Sequence, residues 1–286
     1  MRDSRETQLI RAFILGFPVK HSRSPLIHNY WIRQLGLHGV YEKIEVAPEN
    51  IRAFFDRLRS SESGFVGGNV TIPHKEAAAA YADHCDDVVR EIGAANVLWL
   101  ENGRLYASNT DAAGFLACLD EEAPGWDKTQ RAVVMGAGGA SRSVVYALRQ
   151  RGLSEIHVVN RTLDRAQELV DRFGAKVHAH QMDSIGEVIA GAGLFVNTTS
   201  LGMGGSNVPE LPFDRMASNG VVNDIIYTPR LTPILMQAAR AGRVSVGGLG
   251  MLLHQAVPGF EKWFGQRPEI TDTLRQMIIS DVDRET

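Results

Sequence analysis

The short β-rich run from Arg131 to Met135 passes without a break into Gly136-Ala137-Gly138-Gly139-Ala140-Ser141, and a helical pattern continues from there through Leu148. A strand, a glycine turn and a helix in immediate succession bring backbone N–H groups and the positive end of a helix to one point, a setting that suits a pyrophosphate. The third position of the glycine pattern holds Ser141 rather than Gly or Ala, so the strand–turn–helix context carries the reading more than the bare pattern does. A glycine-rich turn that only packs helix on strand is the plainer alternative. Further short strands at Ile156 to Asn160, Leu194 to Asn197, Val221 to Ile225 and Val244 to Val246, with helical segments between most of them, extend the pattern to the βαβ rhythm of a doubly wound parallel sheet.

The chain has 286 residues, more than the roughly 150 of one domain, so two domains are expected. The first third also alternates strand and helix. An apolar run spans Ala12 to Gly16, a helical stretch Pro25 to Leu35, an alternating run Tyr41 to Val46 and another helix about Glu49 to Arg59. A strand from Phe65 to Thr71 precedes helical Lys75 to Asp83 and Asp86 to Ala94. Asn96 to Leu100 and Arg104 to Ser108, joined through Asn102-Gly103, form a hairpin signal, because Asn-Gly tolerates the positive φ of a tight turn. Two last helices follow Gly247-Gly248, about Leu249 to Phe264 and Thr271 to Asp283. The nucleotide domain is already complete by Val246, so the first of them is expected to fold back on the N-terminal part. The fold class is therefore α/β: a mixed-sheet N-terminal domain made of residues 9–111 with 248–286, and a Rossmann-like domain of residues 112–247.

Hydrophobic residues make up 44% and charged ones 22%, as in folded globular domains. The net charge of −3, with both signs interspersed, leaves no electrostatic footprint for nucleic acid or an anionic membrane. Met1 to Gln8 is polar without an apolar signal core, and no segment approaches about 18 consecutive apolar residues, so a cytoplasmic protein acting on small molecules is expected. Cys85 and Cys118 stand alone, which suits a reducing compartment. His178-Ala179-His180 would put two imidazoles on one strand face, but no third ligand is near in sequence and no metal is expected.

An NAD site would place Asp or Glu at the end of the second strand of this domain to accept from the ribose 2′-hydroxyl. The chain instead has Asn160-Arg161-Thr162-Leu163-Asp164-Arg165, which offers two guanidiniums to a 2′-phosphate, so NADP is preferred. Solvated arginines at a helix start are the alternative. In His21-Ser22-Arg23-Ser24-Pro25, Ser24 reads as a helix N-cap and Pro25 as the first helical residue. Two hydroxyls beside free helix N–H groups would suit a carboxylate, although capping alone is enough to explain Ser24. Strand alternation puts Asn69 and Thr71 on one face before Pro73 ends the strand, and Lys75 then opens a helix. Two polar side chains and an ammonium at a strand end make a crevice for a hydroxylated ligand. Asp111 emerges from Asn109-Thr110 where the chain crosses toward the nucleotide domain, at the expected interdomain cleft, and a helix N-cap is its alternative role.

These blocks are Ser22-x-Ser24-Pro25, Asn69-Val70-Thr71-x-Pro73-x-Lys75, Asn96, Asn109-Thr110-Asp111, Gly136-Ala137-Gly138-Gly139-Ala140 and Asn160-Arg161-Thr162. They continue through Asn197-Thr198-Thr199-Ser200-Leu201-Gly202-Met203, Asp224-x-x-Tyr227-x-Pro229 and Gln255-Ala256. Taken in order and at this spacing, they make the chain resemble the shikimate dehydrogenase family from about Gly16 to Ala256. The resemblance implies reversible, NADP(H)-dependent reduction of 3-dehydroshikimate to shikimate, on the way to chorismate and the aromatic amino acids. It implies that Ser22, Ser24 and Tyr227 hold the substrate carboxylate and that Asn69, Thr71, Asn96 and Gln255 bind ring hydroxyls. Lys75 and Asp111 would be catalytic. Gly136, Ala137, Gly138, Gly139, Ala140, Asn160, Arg161, Thr162, Arg165, Ile225 and Gly248 would line the cofactor, with Asp87 and Met251 as further contacts. The chain departs from the pattern at His74, where the family commonly has Phe, and Lys75 is unaffected.

Hydride delivery to a ketone leaves an alkoxide that needs a placed proton donor, and the reverse reaction needs the same group as acceptor. Lys75 suits both roles, with Asp111 orienting it and the substrate hydroxyl. A quinate or dual quinate/shikimate dehydrogenase using NAD is the nearest alternative, and a non-catalytic ligand-binding relative is the more distant one. Assembly is left open, with a homodimer as one option.

Overall fold

The computed structural model describes residues 9–60 and 63–284, so the polar segment Met1 to Gln8 lies outside the described residues. The described chain forms two compact units. One contains the residues up to Thr110 together with Ala256–Ile278, and the other contains Asp111–Gln255 with the residues from Ile279 onward.

In the first unit, β1 (Ile10–Gly16) is apolar from Ala12 to Leu15 because it lies inside a sheet. Its neighbours are β2 (Gly39–Glu45) and β3 (Phe65–Val70), both parallel to it. Between them in the chain come α1 (Ser24–Gln34) and α2 (Ile51–Arg59), the latter entered through a 3-10 turn at Pro48–Asn50. After β3 follow α3 (Lys75–Tyr81), the two-residue strand β4 (His84–Cys85), α4 (Asp87–Ile92) and the hairpin of β5 (Val97–Glu101) and β6 (Arg104–Ser108). The hairpin turns through Asn102, at φ 52°, and Gly103, as the Asn-Gly pair requires. β3 pairs antiparallel with β5, and the sheet order β2-β1-β3-β5-β6-β4 is mixed, as expected.

The second unit opens with α5 (Asp111–Glu122) and then repeats strand and helix: β7 (Arg131–Met135), α6 (Gly139–Gln150), β8 (Glu155–Asn160), α7 (Leu163–Phe173) and β9 (Val177–Gln181). It continues through α8 (Ile185–Val188), β10 (Leu194–Asn197), β11 (Val221–Asp224), α9 (Pro233–Arg240) and β12 (Val244–Val246). All pairings are parallel in the order β12-β11-β10-β7-β8-β9. The inner strands β7, β8 and β10 are largely apolar on both faces, as in parallel sheets covered by helices on both sides. Val133, Met135, Phe195, Val222 and Ile234 are buried together in one core, each contributing roughly 1.5–3 kcal/mol through removal from water. The chain runs outward from β7 to β9 and returns to β10 on the other side of β7, so the direction of winding reverses between β7 and β10. The carboxyl ends of strands at such a reversal are where ligands bind in sheets of this kind.

The expected domain limit at 247/248 differs from the division seen, which falls between Gln255 and Ala256, inside α10 (Leu249–Phe264). The reason is packing. A Cβ on Gly250 would meet Cys118 Sγ at 2.6 Å, and one on Gly114 would meet Gln255 Cβ at 2.7 Å, so the first half of α10 lies tight against α5. The second half serves the first unit: Trp263 Nε1 donates to the Leu98 carbonyl at 2.8 Å, and Phe260 stacks on His28. The last helix, α11 (Asp272–Arg284), is likewise divided, near Ile278. Among the described residues no helix is long and apolar enough to cross a membrane.

Candidate active site

In the first unit the polar residues gather where β3 ends. Asn69 is buried; its Nδ2 donates to the Asn96 carbonyl at 3.0 Å and its Oδ1 accepts from the Tyr41 hydroxyl at 2.6 Å. Burial holds the Tyr41 phenol well above its ordinary pKa, against the pull of Asn69 and Ser24, so it stays a neutral donor. Asn96 is also buried: its Oδ1 accepts from the Thr110 N–H at 2.8 Å and its Nδ2 donates to Thr110 Oγ1 at 3.0 Å. Asn109 Nδ2 holds the Ala94 carbonyl at 2.9 Å.

The strand stops one residue before the expected Thr71, whose N–H still donates to the Leu15 carbonyl at 2.8 Å. A turn then closes from the His74 N–H to the Thr71 carbonyl at 3.0 Å, and α3 starts at Lys75. His74, where the family pattern has Phe, is buried, and its Nε2 lies 2.7 Å from the Val46 carbonyl, so that nitrogen carries the proton. The carbonyl of Lys75 receives the Ala95 N–H at 2.9 Å. Asn69, Thr71, Lys75 and Asn96 are thus linked through a few bonds at one end of the sheet.

The N-cap expectation at Ser24 is corrected. Arg23, with φ −90° and ψ −4°, occupies that position, and Ser24 is already helical. The hydroxyl beside the helix start is that of Ser22, whose Oγ accepts the Ser24 N–H at 3.3 Å. The helix begins a residue early because Pro25 is tolerated anywhere in a first turn, where its missing N–H has no partner to lose.

In the second unit, Asp111 is buried as the first residue of α5. Gly136 leaves β7 with φ +113°, and a Cβ there would sit 2.6 Å from Thr198 Oγ1, so only glycine fits. The Gly138 N–H donates to Ser141 Oγ at 3.1 Å, Ser141 Oγ lies 2.6 Å from Thr198 Oγ1, and the Thr198 hydroxyl donates to the Met135 carbonyl at 2.7 Å. A Cβ built on Gly138 would meet nothing within 4 Å, so the turn has open space above it, with the first N–H groups of α6 at its edge. Those features fit a dinucleotide pyrophosphate.

At the end of β8, Asn160 Nδ2 donates to the Thr162 carbonyl at 2.8 Å, and Arg161 is exposed. Arg165 Nη1 lies 2.9 Å from Glu168, which also takes the buried Arg142 at 3.1 Å. No carboxylate ends β8, so the pair of guanidiniums fits a 2′-phosphate.

At the end of β11 the buried Asp224 accepts from Asn197 Nδ2 at 2.9 Å, from the Ile226 N–H at 3.1 Å and from the Thr232 hydroxyl at 2.7 Å. Burial pushes its pKa up to about 6 against these three bonds. They shape the loop carrying Ile225 and Tyr227. Gly248 stands against that loop: a Cβ would lie 2.1 Å from the Ile225 carbonyl oxygen. Met251 and Gln255 are buried on α10, and Gln255 Nε2 donates to the Leu252 carbonyl at 2.9 Å. In the first unit, the Asp87 side chain is 95% exposed and ion-paired with Arg90.

Sequence reasoning assigned no role to Tyr41, Asn197, Thr198 or Asp224. A signal existed for two of them, because Asn197 is the polar end of an otherwise apolar strand and Asp224 ends the polar pair Asn223-Asp224 after Val221-Val222. It also missed His157, which hydrogen-bonds His180 at 2.8 Å and Glu155 at 2.8 Å. Among the described residues no group of three or more His, Cys, Asp or Glu is arranged to hold a metal ion.

A reversal-point glycine turn with room above it, followed one strand later by two arginines, defines a dehydrogenase of the pyridine-dinucleotide class. Three family models match the chain: shikimate dehydrogenase substrate binding domain over residues 14–98, shikimate / quinate 5-dehydrogenase over 121–203, and shikimate 5′-dehydrogenase C-terminal domain over 248–278. Shikimate dehydrogenase (NADP(+)) of Rhizobium rhizogenes strain K84 is 60% identical over 284 residues, 99% of this chain and 99% of that relative. The crystal structure of shikimate 5-dehydrogenase from Thermus thermophilus in complex with NADP(H) and shikimate is similar at a TM-score of 0.81 and 34% identity, covering 97% of this chain and 100% of that one. Quinate dehydrogenase from Corynebacterium glutamicum in complex with NAD is similar at a TM-score of 0.85 and 28% identity, covering 95% and 99%. This chain belongs to the shikimate dehydrogenase family.

Proposed function

We propose that this chain catalyses the reversible reduction of 3-dehydroshikimate to shikimate with NADPH. What carries this reading is the full-length 60% identity to an NADP-dependent shikimate dehydrogenase, joined to a β8 end that offers arginines and no carboxylate.

Ser22, Ser24 and Tyr227 hold the substrate carboxylate, and Asn69, Thr71, Asn96 and Gln255 bind ring hydroxyls. Gly136 to Ala140 take the pyrophosphate, and Asn160, Arg161, Thr162 and Arg165 take the 2′-phosphate. Ile225 and Gly248 line the cofactor, with Asp87 and Met251 as further contacts. The bound dinucleotide supplies or accepts the hydride. Lys75 gives a proton to the reacting oxygen as the ketone is reduced and takes it back from the hydroxyl in the reverse direction. Asp111 orients Lys75 and the substrate hydroxyl. Both cysteines are free thiols, which suits the reducing cytoplasm as the place of action.

The alternative within the family is a quinate or dual-specificity enzyme using NAD. Steady-state rates with shikimate or quinate and NADP or NAD decide between them. Shikimate with NADP is expected to have the highest kcat/KM by at least tenfold, and a higher value for quinate with NAD would overturn the assignment.

A further inference from the structure

We infer that the Ser141–Thr198 hydroxyl pair is a positioning device for the dinucleotide turn, a role that the glycine pattern itself does not contain. The inference rests on the reading of that turn as the pyrophosphate site.

The direction of the hydrogen bonds is fixed by chemistry. The Met135 carbonyl can only accept, so the Thr198 hydroxyl must give it its one proton, at 2.7 Å. Thr198 Oγ1 is then the acceptor in its 2.6 Å contact with Ser141, so Ser141 donates. Ser141 Oγ keeps a lone pair for the Gly138 N–H at 3.1 Å. The result is a closed chain, Gly138 N–H to Ser141 to Thr198 to Met135, that begins in the turn after β7 and ends on β7 itself.

Ser141 is wholly buried, and it stands where the usual pattern has Gly or Ala. The chain has two consequences. It spends the Gly138 N–H inside the protein, leaving the N–H groups of Gly139 and Ala140 as the donors facing outward. It also ties the turn to the first residue beyond β10, since Thr198 N–H donates to the same Met135 carbonyl at 2.9 Å. Ser141 and Thr198 are therefore positioning residues for the pyrophosphate, acting through the turn that they hold.

The test uses the whole enzyme and two ligands, NADPH and adenosine 2′-monophosphate, with affinities measured by calorimetry. The second ligand carries the 2′-phosphate but no pyrophosphate. Thr198→Val keeps the shape and removes the hydroxyl. It is expected to weaken NADPH about five- to twentyfold, as two lost hydrogen bonds would, with adenosine 2′-monophosphate, kcat and the shikimate KM each within twofold of wild type. Thr198→Ser restores the hydroxyl and is expected to restore NADPH affinity. Ser141→Ala with Thr198→Val should weaken NADPH by less than the product of the two single effects, because both lose the same Ser141–Thr198 bond. NADPH affinity unchanged in Thr198→Val, or equal weakening of both ligands, would overturn the proposal. Failure of the wild-type enzyme to bind NADPH would instead sink the reading of the turn.

Discussion

The two units hold their candidate residues in opposite ways. In the first, the side chains proposed to meet the substrate are themselves structural: the Asn69 amide braces the Asn96 carbonyl and takes the Tyr41 hydroxyl, while Asn96 is bound to Thr110. In the second, the contacts proposed for the cofactor phosphates are backbone N–H groups and arginines, and the holding is done one layer below by Ser141, Thr198, Asn197 and Asp224. The difference follows from the ligands. A ring with several hydroxyls is recognised by side-chain amides that offer both donors and acceptors, whereas a phosphate is satisfied by N–H groups and guanidiniums. Substitution in the first unit should therefore damage binding and local structure together, and in the second the two should separate.

Lys75 differs within the first unit because its proposed role is proton transfer, and its backbone carbonyl takes the Ala95 N–H. Lys75→Ala should lower kcat by roughly 10²- to 10⁴-fold with little change in shikimate affinity or thermal stability. NADPH absorbance assays together with shikimate binding would show it. Turnover within a factor of two of wild type would reduce Lys75 to a binding residue and remove the contrast with Asn69.

In the second unit the arginines test the same separation. Arg161→Ala with Arg165→Ala should raise the KM for NADP at least tenfold and leave NAD nearly unchanged, given about 1.5–3 kcal/mol per charged hydrogen bond. Arg161 should carry the larger share, because Arg165 already shares its guanidinium with Glu168. An unchanged ratio of the two cofactors would show that these arginines are only solvated.

How far the chain could be read ahead of its structure follows the same division. The β7–turn–α6 unit was legible because every part of it is local: an apolar run, glycines for a positive φ, then helical periodicity. The mixed first sheet and the parallel second one followed from similar runs. What escaped depends on partners distant in the chain. Ser141 meets Thr198 across 57 residues, and β4 is only two residues that become a strand by pairing with β6, so the helical reading ran on past Tyr81. The division of α10 escaped because both halves share one helical pattern, and only packing on α5 assigns the first half to the nucleotide unit. The residue types at the site were visible as blocks, but the layer that supports them was not.

The smallest effect concerns that supporting layer alone. Asp224 has a pKa of about 6 in the folded chain against an ordinary 3.8, with burial as the main cause. The folded protein therefore binds its proton more tightly than the unfolded one, so this group favours folding below pH ~4 and loses that contribution as pH rises through ~6. The shift corresponds to at most about 3 kcal/mol. Asp224→Asn removes the titration while losing an acceptor for the Thr232 hydroxyl, a loss of about 1 kcal/mol that does not vary with pH. The stability of the variant relative to wild type should thus rise by up to about 3 kcal/mol between pH 4 and pH 7.5, read from urea unfolding at each pH. A difference that stays flat across this range would mean that the carboxylate is already ionised well below pH 6, held by its three donors, and that the buried layer of the second unit is as independent of pH as its hydroxyl chain.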